Sequence, residues 1–366
     1  MKISYLAFWV TKPGESQAQA YDASFEEIHA LDEAGWETVW SGGVPLRTMV
    51  PNTLLLAAAI AARTNRIKIG TAVHLPGLKA PGEEFTTEVE AGGSPINRRG
   101  GNAEKFGWVF DHFTPANPLQ TAEQIAMLDQ LSNGRFIYGA GGDTTGDERR
   151  QRHLNEYLAV MRQVWTEDEF SGFQGEFYNS PPLPDGAHFL PRCVQKPHPP
   201  ILLPLDSQQG FVTMGKLGFR IAIGGGSTHN ERGDAVLKED VKNYRQAWLD
   251  AGHPGDPSVA IRINTHVSAT QREADQVREA SERMRADRLA KRGHPLKHER
   301  SADDPKRSSD LFGTAEEIVD RIHQLREDFG ADEIICTLLG TNSTREDDLN
   351  SIRLISEKVI PEVSSR

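Results

Sequence analysis

The chain has 366 residues, 37% hydrophobic and 25% charged, with 33 glycines and 21 prolines. This composition suits a globular protein and excludes collagenous, coiled-coil and wholly disordered chains. A net charge of −11, from 41 Lys/Arg against 52 Asp/Glu, argues against nucleic acid as a partner. No apolar run reaches the roughly 18 residues a membrane span needs, and two cysteines, Cys193 and Cys336, make no disulfide framework, so a cytoplasmic location is expected.

The predicted elements alternate from end to end. Residues 2–10 are apolar and β-prone, too short a run for a signal peptide, and read as a first strand. Phe25, Ile28, Leu31 and Ala34 repeat at helical spacing up to Gly35. Residues 38–40 predict a short strand, 52–63 a helix behind Pro51, and 66–75 a buried strand. A helix over 121–131 stops at Asn133-Gly134, with a strand at 135–139 and a helix at 149–165. Residues 170–178 predict a small hairpin with glycine at its turn.

Strands at 200–205, 219–223, 259–267 and 334–339 then alternate with helices at 207–217, 235–251, 272–290, 314–329 and 345–359. Thr314 and Glu317 make a capping box for the fourth of these helices. About eight strands alternating with about eight helices imply parallel strands joined by crossover helices. That order favours a single-domain α/β fold, the (β/α)8 TIM barrel, over an open sheet.

Residues 76–116 break the rhythm: seven glycines, four prolines and no helical period, a long insertion after the third strand. In a barrel that strand end lies at the catalytic face. The insertion carries Phe85, Phe106, Trp108, Phe110 and Phe113, which fit either an ordered cover over the barrel mouth or a packing or assembly arm. A second unusual stretch, 283–310, is basic, and reads as a solvated helix running into a loop or as a mobile lid near an anionic cofactor.

Gly139-Ala140-Gly141-Gly142-Asp143 follows a strand but fails the dinucleotide fingerprint, because Thr144 stands where the last glycine belongs. A turn that lets a ligand approach the backbone fits better, and Gly224-Gly225-Gly226 permits the same, although a plain turn remains open at both. Residues 210–217 miss a P-loop, since Leu217 replaces the Mg²⁺-binding hydroxyl. Ser207 sits between a strand and a helix, either as a simple cap or beside amides that hold an anion. His294 and His298 are separated by Pro295 without an accompanying acid, so no metal site is expected. No nucleophile–base pair is visible, and no catalytic residue is assigned.

Several blocks resemble the bacterial luciferase-like flavin monooxygenases: residues 31–40 (LDEAGWETVW), 55–73 (LLAAAIAARTNRIKIGTAV), 118–141 (PLQTAEQIAMLDQLSNGRFIYGAG), 152–165, 191–200 (PRCVQKPHPP) and 313–361. The resemblance covers most of the chain and implies a TIM barrel binding reduced FMN, or in one branch the deazaflavin F420, at the strands' carboxyl ends. It implies a phosphate site at Arg152 with Ser207, Gln208 and Gln209, and a flavin ring against a strand-three bulge, often holding a non-prolyl cis peptide, at Ala72-Val73. The resemblance also implies Gly139 and Gly141 at the ring's other side, with Phe8 and Gly224 nearby. The insertion, which is atypical of the family, is expected from its place at the catalytic face to wall the substrate pocket with Phe106, Trp108, Phe110 or Phe113, beside Trp40.

The chain departs from the family where light emitters carry acid-His-His, here Ser41-Gly42-Gly43, and where their reactive Cys and phosphate Arg fall on Gly141 and Gly142. The implied activity is monooxygenation of a small organic substrate by O2 added as a peroxide at the flavin C4a carbon, with a separate reductase supplying reduced FMN and a homodimeric or homotetrameric assembly. F420-dependent hydride transfer, and a flavin-binding relative without turnover, are the alternatives.

Overall fold

A computed structural model describes residues 1–12, 14–43, 48–75, 116–141, 148–205, 208–224, 234–292, 310–338 and 343–364. The insertion at 76–115, Ser207 and the His294/His298 pair lie outside them, as do Phe106, Trp108, Phe110 and Phe113. Among the described residues, eleven strands and ten helices follow in chain order. These are β1 Lys2–Phe8, α1 Gln17–Glu33, β2 Thr38–Gly42, α2 Thr53–Ala61, β3 Lys68–Thr71, α3 Pro118–Leu131, β4 Phe136–Gly139 and α4 Glu148–Thr166. Next come β5 Phe173–Gln174, β6 Asn179–Ser180, β7 Ile201–Pro204, α5 Gln208–Leu217, β8 Arg220–Ile223, α6 Asp234–Asp250, β9 Val259–Ser268 and α7 Gln271–Arg292. The chain ends with β10 Leu311–Thr314, α8 Ala315–Phe329, β11 Glu333–Thr337, α9 Arg345–Leu354, a π-helical turn Ile355–Val359 and α10 Ile360–Ser364.

The main sheet is ordered β10-β9-β11-β1-β2-β3-β4-β7-β8, and β8 also pairs with β9, which closes eight strands into the expected barrel. The registers between β1 and β11, β11 and β9, β3 and β4, β4 and β7, and β8 and β9 are all parallel. The described residues form two compact units, Met1–Trp40 with Leu203–Arg366 (unit 1) and Ser41–Leu202 (unit 2).

Several boundaries moved for local reasons. Helix α1 starts at Gln17, well before Phe25, because Ser16 and Gln19 form a capping box. Asn117 accepts from the Leu119 and Gln120 amides and starts α3 at Pro118. The hairpin strands are shorter and later than expected because Glu156 of α4 accepts from the amides of Glu176, Phe177 and Tyr178 at 2.9, 2.8 and 2.7 Å, which draws those residues into the turn. The last helix is broken by its π turn, and β10 was not expected at all. The basic stretch is helical through Arg292, so its first ten residues belong to α7, and 293–309 lie outside the described residues.

In unit 2 the block around Asn133 works as a clip. Asn133 (φ 53°) and Gly134 (φ 74°) take left-handed backbone and turn the chain out of α3. Arg135 then donates to the carbonyls of Ser132, Ile67, Ala61 and Thr64 and to the Thr64 hydroxyl, at 2.8–3.1 Å. One guanidinium thus satisfies the end of α3, the end of α2 and the entry to β3. Asp129 accepts from the Gln195 amide (2.9 Å) and side chain (2.7 Å), which ties the Arg192–Gln195 segment to α3.

In unit 1, Tyr5 packs edge-on to Trp36 at 6.0 Å and bonds Glu27 of α1. Glu27 shares its surroundings with Asp348, Arg345 and Lys12. Arg345 pairs with Glu15, and Lys12 bonds Asp348 at 3.0 Å. Burial pushes the Glu27 carboxyl up to about 7, the Tyr5 hydrogen bond lowers it, and the Asp348 charge adds to the rise.

Arg135→Ala is expected to destabilise the protein by about 3 kcal/mol in urea unfolding, because it strips one charged donor group from four carbonyls at once. A change below about 1 kcal/mol would show that the clip is dispensable. Glu27 keeps its proton in the folded chain between its unfolded value near 4.5 and about 7. Stability from that proton therefore falls as pH rises through this window. Glu27→Gln should gain on the wild type between pH 5 and 8, on the order of 2 kcal/mol, read as diverging urea midpoints.

Candidate functional site

Each unit is built from its own strand ends. In unit 2, β3 and β4 run in register through Ile69–Phe136 and Gly70–Ile137. The ladder then changes. The Thr71 hydroxyl donates to the Gly139 carbonyl (2.7 Å) and accepts from the Gly139 amide (3.0 Å). The His74 amide donates to the same Gly139 carbonyl (2.8 Å), and the Gly141 amide to the His74 carbonyl (3.0 Å). Gly139 thus serves both Thr71 and His74, and Ala72-Val73 is extruded as a bulge between them. The Ala72–Val73 peptide is cis, as the resemblance implied.

The bulge explains Gly141. A Cβ built there would lie 2.4 Å from Val73 Cγ2. Val73 thus occupies the space that a side chain at 141 would need, and the glycine is required by the protein's own bulge. His74 Nδ1 lies 3.0 Å from the Tyr138 hydroxyl. Burial lowers His74 to about 4 and raises Tyr138 well above the ordinary phenol range. This wall therefore carries a neutral imidazole paired with a neutral phenol at physiological pH. Sequence reasoning missed both residues, although His74 stands in an otherwise apolar run.

Arg152, on α4, forks onto Glu176, with Nε to Oε2 at 3.0 Å and Nη2 to Oε1 at 3.2 Å, on the exposed surface. Glu176 is held below the usual carboxylate range, chiefly by that hydrogen bond. A neighbouring cation, Arg149, lies over the Phe177 ring at 5.1 Å. The hairpin tip thus brings a carboxylate to the arginine expected to meet a phosphate.

In unit 1, strand register sorts the two faces. Tyr5 lies beside Cys336 and Ser4 beside Ile335. Ile335 lies beside Arg262 and Thr337 beside Asn264, while Ala222 lies beside Ala260. Tyr5 meets α1 through Glu27, so Ser4, Leu6, Phe8, Ile335, Thr337, Arg262, Asn264 and Ala222 share the opposite, inner face. The amino end of that face carries Glu333, which accepts from Trp40 Nε1 at 3.1 Å. Trp40 is 1% exposed, and its indole is the donor in this bond.

At the carboxyl end, Phe8 is half-buried and Gly224 has φ +97°. A Cβ at Gly224 would meet the Arg262 carbonyl oxygen at 2.5 Å, so backbone packing alone requires that glycine. Gln208 and Gln209 open α5, where their amides have no helical acceptor of their own. Arg262, Asn264 and Thr337 were missed. The signal for Arg262 and Asn264 was polar residues at alternate positions in the apolar strand VAIRINTHVS.

The profile of the luciferase-like monooxygenase family matches residues 1–83 and 112–333. An uncharacterized protein of Mycobacterium tuberculosis is 33% identical over 153 residues, 39% of this chain and 50% of that one. The FMNH2-dependent dimethylsulfone monooxygenase of Pseudomonas putida is 24% identical over 173 residues, 44% of each chain. The F420-dependent glucose-6-phosphate dehydrogenase of Amycolatopsis mediterranei is 25% identical over 184 residues, 43% of this chain and 44% of that one. The match thus spans half or less of these curated relatives. Among solved structures, the monooxygenase RslO1 of Streptomyces bottropensis superposes with a TM-score of 0.72 at 21% identity over 99% of both chains. The FMN-bound oxygenating constituent of 3,6-diketocamphane monooxygenase from Pseudomonas putida gives 0.68 at 18% over 99% of both.

Gly141→Ala is expected to cost about 1–3 kcal/mol by overpacking Val73. Adding Val73→Ala should recover most of that loss, so the double variant is more stable than the two single effects predict. Additive losses in thermal or urea unfolding would refute the proposed Val73–Gly141 packing.

Proposed function

The chain belongs to the luciferase-like monooxygenase family, and from that premise we propose that it is a flavin-dependent monooxygenase acting on a small organic substrate. Reduced FMN, delivered by a separate reductase, would supply the reaction with O2. The protein's part is to hold the flavin, exclude water and avoid stray proton transfer. The observation that carries this reading is the His74–Tyr138 wall beside the Ala72–Val73 bulge. Its hydrogen bond joins two groups that stay neutral at physiological pH, and burial makes the imidazole a weak base and the phenol a weak acid. That suits chemistry performed by the cofactor in a dry site.

The ring would rest on Ala72 and Val73, with Gly139 and Gly141 at its other side and Phe8 and Gly224 among the lining residues. The phosphate would take Arg152, displacing Glu176, together with the α5 amides of Gln208 and Gln209 and with Ser207. An exposed ion pair is weak enough to exchange for a phosphate.

Anaerobic titration should show reduced FMN binding in preference to F420, and O2 consumption should follow substrate addition. Tighter F420 binding with O2-independent turnover would establish the dehydrogenase reading instead, and binding without turnover of any kind the non-catalytic one. Arg152→Ala should weaken FMN roughly tenfold or more and leave riboflavin nearly unchanged, since the lost interaction is to phosphate alone. Glu176→Gln should tighten FMN. Equal losses of FMN and riboflavin would remove Arg152 from the phosphate site.

A further inference from the structure

Three tyrosines of unit 2 lie together beside the β3–β4 bulge. Tyr138 and Tyr157 are 0% exposed, whereas Tyr178, just before β6 in the hairpin, is half-buried. Burial raises the Tyr138 phenol, and the nearby phenols of Tyr157 and Tyr178 add to the rise. The Tyr157 and Tyr178 rings meet edge-on at 5.9 Å. Each hydroxyl has a separate partner. Tyr138 Oη lies 3.0 Å from His74 Nδ1 and Tyr178 Oη 2.7 Å from His153 Nε2, while Tyr157 donates to Thr121 Oγ1 at 2.6 Å. Phenylalanine would fill the same space without the cost of burying a hydroxyl. The described hydrogen bonds run from each phenol to its own partner and not from phenol to phenol, so the row cannot hand a proton along. It can hand an electron along, because tunnelling needs only closely spaced redox-active rings.

We propose that Tyr138, Tyr157 and Tyr178 form an electron relay that carries an oxidising equivalent from the bulge to the protein surface. The oxidant is a strong one-electron oxidant derived from O2 that has not reacted with substrate. It takes one electron from Tyr138, whose phenolic proton passes to the unprotonated His74 Nδ1. Tyr157 gives an electron to Tyr138, which recovers its proton, and Tyr178 gives one to Tyr157. The Tyr178 proton passes to His153 Nε2. A thiol or ascorbate in solution then returns one electron to Tyr178, and His153 returns the proton. A phenol that has lost an electron is a strong acid, so even the weakly basic His74 accepts from it. Thr121 is a poor proton acceptor, which makes Tyr157 the bridge and the two Tyr–His pairs the places where the oxidation rests. The relay takes its oxidant from the flavin reading, but its residues are oxidisable without flavin.

The test uses the full-length protein with a ring-fluorinated tyrosine in place of Tyr138, whose fluorine marks that radical in electron paramagnetic resonance. Photogenerated tris(bipyridine)ruthenium(III), added without flavin, oxidises tyrosine from solution. The marked radical should form, more slowly in D2O than in H2O, and ascorbate should erase it. Tyr157→Phe and Tyr178→Phe should each lower its yield tenfold or more, because the buried ring then has no path to solvent. Circular dichroism checks folding. If Tyr157→Phe is unfolded, Tyr178→Phe and the solvent comparison decide.

The absence of a marked radical in the wild-type background overturns the proposal. So does a yield that either folded variant leaves unchanged, or formation equally fast in the two solvents. With oxidised FMN bound, illumination of the flavin should give the same marked radical. A radical that forms with ruthenium and not with illuminated FMN overturns the start of the relay at the bulge. If FMN does not bind, the flavin reading fails, and the ruthenium experiment still decides whether the three tyrosines act together.

Discussion

Parallel strands covered on both faces give an inward-pointing polar side chain no water to turn to, so it must find its partner on a neighbouring strand. Much of this structure follows from that constraint. The Thr71 hydroxyl replaces a lost rung by serving both the amide and the carbonyl of Gly139. Glu333 is buried at the floor with the Trp40 indole as donor, and burial raises its carboxyl above the usual range. Arg262 is met by side chains of its own strand and of β11. The Thr71–Gly139, Trp40–Glu333 and Arg262–Thr337 pairings each join residues far apart in sequence.

The same constraint accounts for the bulge. Where β3 leaves the ladder, every backbone group it releases needs another partner. The Ala72 amide goes to the Ser41 carbonyl at 2.9 Å, and the His74 amide returns to Gly139. His74 then resumes a parallel bridge with Ala140. The excursion is closed at both ends, so it is a fixed feature of the strand. It presents Val73 to Gly141 and sets His74 against Tyr138, which makes a shaped, non-titrating surface at the carboxyl end of two strands.

The fold was largely legible in the sequence, because alternating strand and helix periods leave few topologies for a chain of this length. What was not legible depended on tertiary partners. Nothing in FSGFQGEFY announces that Glu156, some twenty residues earlier, will gather three amides of that stretch. The start of α1 was readable, since Ser16 and Gln19 have capping-box spacing, but the apolar repeat drew attention downstream. Of the site, the bulge position was recovered through family resemblance. His74, Tyr138 and Arg262 were missed because each looks like an ordinary strand residue until register shows its face.

The most specific stretch of the resemblance, Leu128-Asp129-Gln130-Leu131-Ser132-Asn133-Gly134-Arg135-Phe136, is occupied with holding the barrel together. Asp129 anchors Gln195, Asn133 and Gly134 make the turn, and Arg135 closes two helix ends onto a strand entry. None of these groups needs a cofactor to explain it. A resemblance carried by such residues transmits the fold faithfully and says little about which flavin is bound. That is why relatives named for FMNH2 and for F420 match this chain at nearly equal identity, 24% and 25%. The distinction between them has to come from the inner faces of the strand ends.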